Sequence, residues 1–193
     1  GPVALGHLSD WVRDATAAVA RLGLSGNMIT GSRNLAKPWK DPTWEYDTDL
    51  SGLISLCDAL PTLKNPIELD LSNCGLSVNG INPLAKAMAA GAAIAHLALG
   101  SNPIGDEAMI PLLDTLKDIP LISFDISRTN CGVSTASKLA ELLTDESKFR
   151  GAVASLCCAN NPGMVGELEY GRLKTPDVHA EVFKQLTDSL KTS

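Results

Sequence analysis

The side chains able to do acid–base, nucleophilic or metal chemistry are scattered along this sequence of 193 residues. The three histidines, His7, His96 and His179, lie far apart and lack the clustered carboxylate or thiolate partners that a metal site needs. The sequence contains no G-x-S-x-G, H-E-x-x-H or G-x-G-x-x-G motif and no phosphate-loop lysine. We therefore predict that the chain is not an enzyme and takes no metal and no cofactor.

The cysteines point to a reduced protein. They are odd in number and none has C-x-x-C spacing, which argues against a disulfide framework or a zinc site. They are Cys57, Cys74, Cys131, Cys157 and Cys158. Free thiols are typical of a cytosolic protein, so we expect a cytoplasmic location. In the strand predicted below, Cys157 is expected to point outwards and Cys158 inwards.

Composition excludes some classes of partner. Apolar residues make up 45% of the chain, enough for a packed core, and 16 basic residues face 22 acidic ones, for a net charge of −6. An acidic chain is poorly suited to nucleic acid or an anionic membrane. The most apolar stretch, 81–99, carries Lys86 and His96 and does not read as a membrane span. Residues 1–2 look like the scar of a cleaved tag, and we expect 3–193 to be one domain of a longer protein.

A repeat organises the chain. Five segments fit the pattern L-x-x-L-x-L-x-x-(N/C/T)-x-L, and each has a central apolar anchor. The anchors are Leu22, Leu69, Leu97, Phe124 and Leu156. They lie 47, 28, 27 and 32 residues apart, so a unit of 28 residues explains the middle spacings. Insertions near 30–49 and 165–176 account for the irregular first and last units.

A second apolar column predicts one helix in each unit. Its members recur at i and i+4 on a polar background, which is one face of a helix. They are Leu53, Leu56 and Leu60, then Leu84 and Met88, Leu112 and Leu116, Leu139 and Leu143, and finally Phe183, Leu186 and Leu190. Five polar or small residues mark the inward turn after each strand and are expected to satisfy buried backbone groups. They are Asn27, Cys74, Asn102, Thr129 and Asn161.

These segments resemble the leucine-rich repeat family, in particular the ribonuclease-inhibitor-like class with its strand–turn–helix units. The resemblance implies an α/β solenoid, or horseshoe, with a parallel inner sheet and outer helices. About five repeats are expected. A terminal unit must cover the open end of such a stack. We assign that task to a capping helix over 9–21, with Ser9 as its N-cap and Trp11 in the core.

Side chains that alternate with the anchors should face the concave surface of the sheet. This face is small and polar, without aromatic residues. Its charged and polar candidates for partner binding are Arg21, Glu68, Asp70, His96, Asp125 and Arg128. Asp70 and Asp125 share a column two strands apart, roughly 10 Å, which is too far for a shared-proton carboxylate pair.

The first insertion is the other candidate site. Trp39, Trp44 and Tyr46 fall within eight residues there, in a segment that the repeat does not need. Long loops within compact domains often carry function, and aromatic side chains suit recognition. Two alternatives stay open: the aromatic residues fold back to patch the edge of the sheet, or the loop is mobile. The second insertion is more polar and reads as a solvated loop.

We predict a non-enzymatic scaffold or interaction module that binds a protein or peptide through the concave face or the Trp-rich loop. Two alternatives remain. Ran GTPase-activating proteins resemble this repeat class, although none of their motifs maps onto the chain and their acidic tail is missing. An actin-regulatory module, as in tropomodulin-like families with similar repeats, would place the protein at the cytoskeleton.

Overall fold

The computed structural model describes residues 1–14, 19–37, 43–144 and 146–191. In chain order the elements are α1 (Pro2–Asp14), β1 (Arg21–Gly23), β2 (Arg33–Asn34), β3 (Trp44–Glu45), α2 (Ser51–Ala59), β4 (Ile67–Asp70), α3 (Val78–Ala89), β5 (Ile94–Ala98), α4 (Gly105–Leu116), β6 (Ser123–Asp125), α5 (Val133–Thr144), α6 (Lys148–Ala152), β7 (Ser155–Cys157), β8 (Glu167–Glu169), β9 (Arg172–Thr175) and α7 (Ala180–Lys191). Short 3₁₀ turns follow α2 and β7.

A five-stranded parallel sheet forms the centre of the fold. Its strand order is β1-β4-β5-β6-β7, so each strand lies beside the next one of the repeat. The register pairs Leu22 with Leu69, Leu69 with Leu97, Leu97 with Phe124, and Phe124 with Leu156. The sequence prediction that these anchors occupy adjacent rungs is confirmed. Parallel neighbours need long crossovers, and the helices supply them.

The helices pack on one side of the sheet and share its core. The predicted helix column is buried along α2, α3, α4 and α5, because side chains at i and i+4 lie on one helix face. The last helix is different. The predicted helix of the last unit is present as α7, but its column is only partly covered: Leu186 is buried, Phe183 is partly buried and Leu190 is exposed. Helix α7 packs on α5.

Two turn asparagines hold neighbouring strands together, as predicted. The Asn102 side chain is fully buried; its Oδ1 accepts hydrogen bonds from the backbone N–H groups of Cys74 (2.9 Å) and Leu76 (3.1 Å). Its Nδ2 donates to the carbonyls of Leu71 and Leu99, both at 2.8 Å. Asn161 makes the same type of bridge to the turn after β6. Buried backbone groups need such partners because an unmet hydrogen bond there costs about 1–3 kcal/mol.

The other predicted turn residues differ in burial: two are buried and one is exposed. Cys74 and Thr129 are buried, and the Thr129 hydroxyl donates to the carbonyl of Ile126 at 2.7 Å. Asn27 is exposed, contrary to the expectation of burial, and its amide donates only to nearby turn carbonyls such as that of Leu24. It lies in the turn after β1, which is an edge strand of the sheet, so among the described residues no turn of a preceding strand is there for its amide to bridge.

The predicted capping helix over 9–21 is wrong in its bounds. The helix begins at Pro2 and ends at Asp14, and β1 already begins at Arg21. Proline suits the first turn of a helix because its fixed φ is helical and its missing N–H would have no partner there. Ser9 is therefore mid-helix rather than an N-cap; its buried hydroxyl donates to the carbonyl of Leu5 at 2.7 Å. Trp11 is 54% exposed and is not the core residue expected.

Helix α1 still packs closely against α2. A Cβ on Gly52 of α2 would overlap the backbone carbonyl of Pro2, so a side chain at this position would push the two helices apart. Among the described residues, no helix combines the length and apolar character needed to cross a bilayer.

Both insertions form antiparallel hairpins outside the main sheet. In the first, β2 pairs with β3, and residues 38–42 lie outside the described part. We call residues 33–37 and 43–46 the aromatic hairpin. In the second, β8 pairs with β9; this is the tyrosine hairpin, residues 167–175. The second insertion is thus an ordered hairpin rather than the plain loop expected.

Candidate protein-binding surface

The sheet face without helices carries the charged residues predicted from the sequence. One column runs in register through Arg21, Glu68 and His96 and continues through two serines. Arg21 and Glu68 form an ion pair at 3.2 Å with both side chains largely exposed. Exposed pairs of this kind contribute little stability, about 0–1 kcal/mol. Their charges are therefore available to a partner at little structural penalty.

Asp70 and Asp125 have a local task that the sequence analysis missed. Each carboxylate accepts a hydrogen bond from the backbone N–H two residues later, at 3.0 Å from Ser72 and 2.8 Å from Ser127. This is an Asx turn, which ends the strand and directs the chain towards its helix. The repeated Asp-x-Ser was the available signal. Ala98 separates the two aspartates in the register, so they are not a catalytic pair.

In the five-stranded sheet, the third residue after each strand, which is the fourth after its anchor, varies in type but always has a left-handed backbone. These residues form one column along the exit side of the sheet, which we call the left-handed column. Its members are Gly26, Asn73, Ser101, Arg128 and Asn160, with φ between 52° and 78°. Glycine and asparagine adopt this region readily, whereas arginine does so at an energetic cost. Arg128, a predicted binding residue, is thus an exposed cation held in an unfavourable conformation.

The aromatic hairpin lies beside this column. The rings of Trp44 and Tyr46 stack with centroids 5.8 Å apart and an angle of 16° between their planes. Trp44 remains 41% exposed and Tyr46 36%. Partial burial raises the pKa of the Tyr46 phenol above its usual 10.0. Trp39, proposed with them as a binding residue, lies outside the described residues.

The base of the aromatic hairpin is fixed to the second unit. The hydroxyls of Thr30 and Ser32 both donate to the carbonyl of Gly75 at 2.8 Å. A Cβ on Gly75 would stand only 2.8 Å from the Cβ of Ser32, so glycine permits this close approach. Both hydroxyl residues are buried. The hairpin is therefore anchored at its base, and this fixes where its aromatic rings lie.

Asp47 adds a second attachment that sequence reasoning did not find. Its carboxylate accepts hydrogen bonds from the Ser77 hydroxyl at 2.7 Å and from the Gly80 N–H at 2.9 Å. It thereby caps the N-terminus of α3, where a negative charge also suits the helix dipole. Asp47 lies 30 positions before Ser77, the residue at the N-cap, whose own side chain makes no capping hydrogen bond to α3, so the local sequence does not reveal the group that caps this helix.

The two hairpins meet the sheet on the same side. Trp44 and Tyr46 line a cleft of about 100 Å³ whose other walls include Ser101 and Pro103. The tyrosine hairpin lines a cavity of about 480 Å³ whose other walls include Asp106 in the first turn of α4, Gly132 after β6 and Gly163 after β7. Two insertions that lie more than a hundred residues apart in the sequence are thus placed along the same edge of the sheet.

Two adjacent cysteines lie in and just after β7. Burial raises the pKa of the Cys158 thiol to about 12, in accord with its predicted inward position, although Cys157 and Cys158 are both only partly buried. Within the described ranges, no group of three or more His, Cys, Asp or Glu side chains could hold a metal ion. The arrangement offers recognition through aromatic rings, charges and turn backbones.

No known protein-family model matches this chain, and no curated protein matches its sequence. Solved structures do match its fold. The C-terminal domain of tropomodulin from Caenorhabditis elegans has a TM-score of 0.64 at 11% identity, covering 97% of this chain and 91% of that one. Leiomodin-1 actin-binding site 2 has a TM-score of 0.56 at 16% identity, covering 96% of this chain and 91% of that one.

At such low identities the likeness shows the fold alone: an α/β domain with a parallel sheet, shared over nearly the whole length of both chains.

Proposed function

We propose that this chain is a leucine-rich-repeat solenoid of the ribonuclease-inhibitor-like class that acts as a non-enzymatic protein-binding module. The in-register anchors and the asparagine bridges support the solenoid, since each unit shares its core with the next. We further propose that it associates with the cytoskeleton and that its partner is actin. The support for actin is the fold shared with a leiomodin-1 domain described as an actin-binding site.

One observation carries the binding proposal: the stacked Trp44–Tyr46 pair, fixed at its base and partly exposed. Aromatic anchors supply much of the energy in protein interfaces, and a rigid anchor loses little entropy on binding. The adjoining cleft adds the polar side chains of Asn73 and Ser101 and the apolar ring of Pro103 beside the aromatic rings. In the structural alternative, the aromatic residues only cover the edge of the sheet. That accounts for the buried part of the rings but does not explain why Trp44 remains 41% exposed.

The open face of the sheet is the second part of the proposed interface. It presents Arg21, Glu68, His96 and Asp125 as an array of mixed charge, with Arg128 at its exit edge. Such side chains steer a partner and fix its orientation more than they add affinity. Nucleic acid and membranes are not proposed as partners, because the net charge of −6 disfavours both.

The test is binding to monomeric actin by titration calorimetry and to filaments by co-sedimentation. Trp44→Ala is expected to weaken binding about tenfold or more, as loss of an interface anchor does. Trp11→Ala is the matched control, because it removes another exposed tryptophan, 54% exposed against 41% for Trp44, from α1, which lies outside the proposed interface. The site assignment is wrong if Trp11→Ala weakens binding and Trp44→Ala does not.

The charged face is tested with Asp125→Asn. Asparagine keeps the acceptor for the Ser127 N–H and removes only the charge, so the turn is preserved. A weaker and less salt-dependent affinity supports the open face as part of the interface. If neither monomers nor filaments bind to the unchanged chain, actin is excluded as its partner.

A further inference from the structure

The turn at the tip of the tyrosine hairpin has a residue type that its backbone conformation disfavours. Glu169 pairs with Arg172, which leaves a loop of only two residues, Tyr170 and Gly171, with φ of 51° and 73°. Positive φ at both positions matches a type I′ turn, the usual two-residue hairpin connection. Its first position favours asparagine, aspartate or glycine, because other side chains clash with the backbone there.

Tyr170 gains nothing in the folded chain that would offset this conformational cost. Its side chain is 98% exposed, so the ring packs on almost no other atom. A large aromatic residue that is both strained and fully solvated is the kind of outlier that points to function. The tyrosine departs from the residue preference of a type I′ turn, and its ring is too exposed for packing to offset the cost.

The hairpin below the tip is a defined support. Leu168 and Leu173 face each other across the two strands, and Lys174 pairs with Glu169 at 2.9 Å. At its base, a Cβ on Gly166 would overlap the carbonyl of Thr175, so the strands approach as closely as glycine allows. The tyrosine therefore stands at the end of a short, well-connected arm.

Leu168 and Leu173 also extend the apolar surface below the ring, since each is a little under half exposed. This hairpin and the aromatic hairpin both line cavities at the edge of the parallel sheet where its strands end, the first beside the turns after β6 and β7 and the second beside the turns after β4 and β5. A partner that covers this side of the molecule can therefore contact both hairpins.

We propose that Tyr170 is a second anchor for the partner of the aromatic hairpin. Resting on the proposed function, the inference is that Tyr170 inserts into an apolar pocket of an actin subunit, with a hydrogen-bond acceptor for the phenol at the pocket's edge. Leu168 and Leu173 contact the rim of that pocket. The unfavourable turn is retained because the ring is needed in the complex, where insertion compensates the strain.

The variant Tyr170→Asn separates this role from a purely structural one. Asparagine followed by glycine is a preferred type I′ sequence, so the variant relieves the turn while it removes the ring. We expect its melting temperature to rise and its affinity for actin to fall about tenfold or more. Tyr170→Phe, which keeps the ring and removes the hydroxyl, is expected to lose less affinity than Tyr170→Asn.

The outcomes are distinct. A raised melting temperature with unchanged affinity overturns the anchor role, and so does a lowered melting temperature, which would contradict the turn argument. Actin binding that responds to Trp44→Ala but not to Tyr170→Asn overturns this inference and leaves the proposed function standing. If the unchanged chain does not bind actin at all, both are overturned.

Discussion

Replacement of Asn102 by alanine tests the idea that turn asparagines hold the strands together. The variant removes the acceptor of two buried N–H groups, those of Cys74 and Leu76, and the donor to the carbonyls of Leu71 and Leu99. Each buried group left unsatisfied costs about 1–3 kcal/mol. With two N–H groups affected, and some relief from water in the vacated space, we expect a loss of about 3–4 kcal/mol.

That loss is large against the total stability of a domain, about 5–15 kcal/mol. For a chain of this length it corresponds to a fall in melting temperature of roughly 6–16 °C. Urea denaturation followed by circular dichroism measures the change in the free energy of unfolding, and an unchanged m-value shows that the comparison is valid.

Asn27→Ala is the matched control, because it occupies the same repeat position on the edge strand but is exposed. Surface substitutions of this kind change stability by less than about 1 kcal/mol. If Asn102→Ala and Asn27→Ala have equal effects, the asparagine bridge does not stabilise the sheet as described. Asn102→Asp is a further check: it retains the acceptors but cannot donate while ionised, so we expect its destabilisation to lessen as acid protonates the carboxyl group.

Three further predictions concern the core, the thiols and the left-handed column. Leu97→Asp, which puts a charge at a buried anchor, should unfold the whole chain cooperatively; a melt that loses only part of the helical signal would speak against a shared core. Burial raises the pKa of both Cys57 and Cys158 from 9.0 to about 12, so neither should react readily with Ellman's reagent at pH 8 until the chain unfolds. The thiols ionise at a lower pH in the unfolded chain than in the folded one, so their contribution to the free energy of unfolding should be complete below pH 9 and decline as the pH rises towards 12. A constant free energy of unfolding over that range would refute the burial of these thiols. Arg128→Asn should raise stability by about 0.5–1 kcal/mol, since asparagine tolerates φ near 55°, and a loss measured by urea denaturation would contradict this.

The spacing of apolar residues in the sequence predicted most of the strands and helices of the fold. The anchor spacing predicted the strands and their order, because a strand with apolar residues at alternate positions can bury them only against similar neighbours. The helix column predicted the second layer for the same reason. The first helix was misplaced because Ser9 resembles a cap, whereas the start of the helix is set by Pro2 and by the close contact between α1 and α2.

The candidate surface was predicted only in part. Trp44, Tyr46 and the charged columns were found, because aromatic residues in an insertion and polar residues between anchors are visible in the sequence. Tyr170 was not predicted as a binding residue, because the second insertion is polar and was expected to be a solvated loop. A tyrosine before a glycine is not a preferred sequence for a hairpin turn. The signal that was available is the Glu-Tyr-Gly-Arg run between two leucines, which fits a two-residue turn.

The sequence alone determined which residues are buried along α2, α3, α4 and α5 and at the sheet anchors from Leu22 to Phe124, since periodicity depends only on the geometry of each element. Contacts between distant segments decided the rest. Asp47 reaches a helix 30 residues later, and two hairpins more than a hundred residues apart come to the same side of the sheet. Such placements depend on the hydrogen bonds and side-chain contacts that a loop makes with another repeat unit. These contacts join residues far apart in the sequence, so no local pattern predicts them.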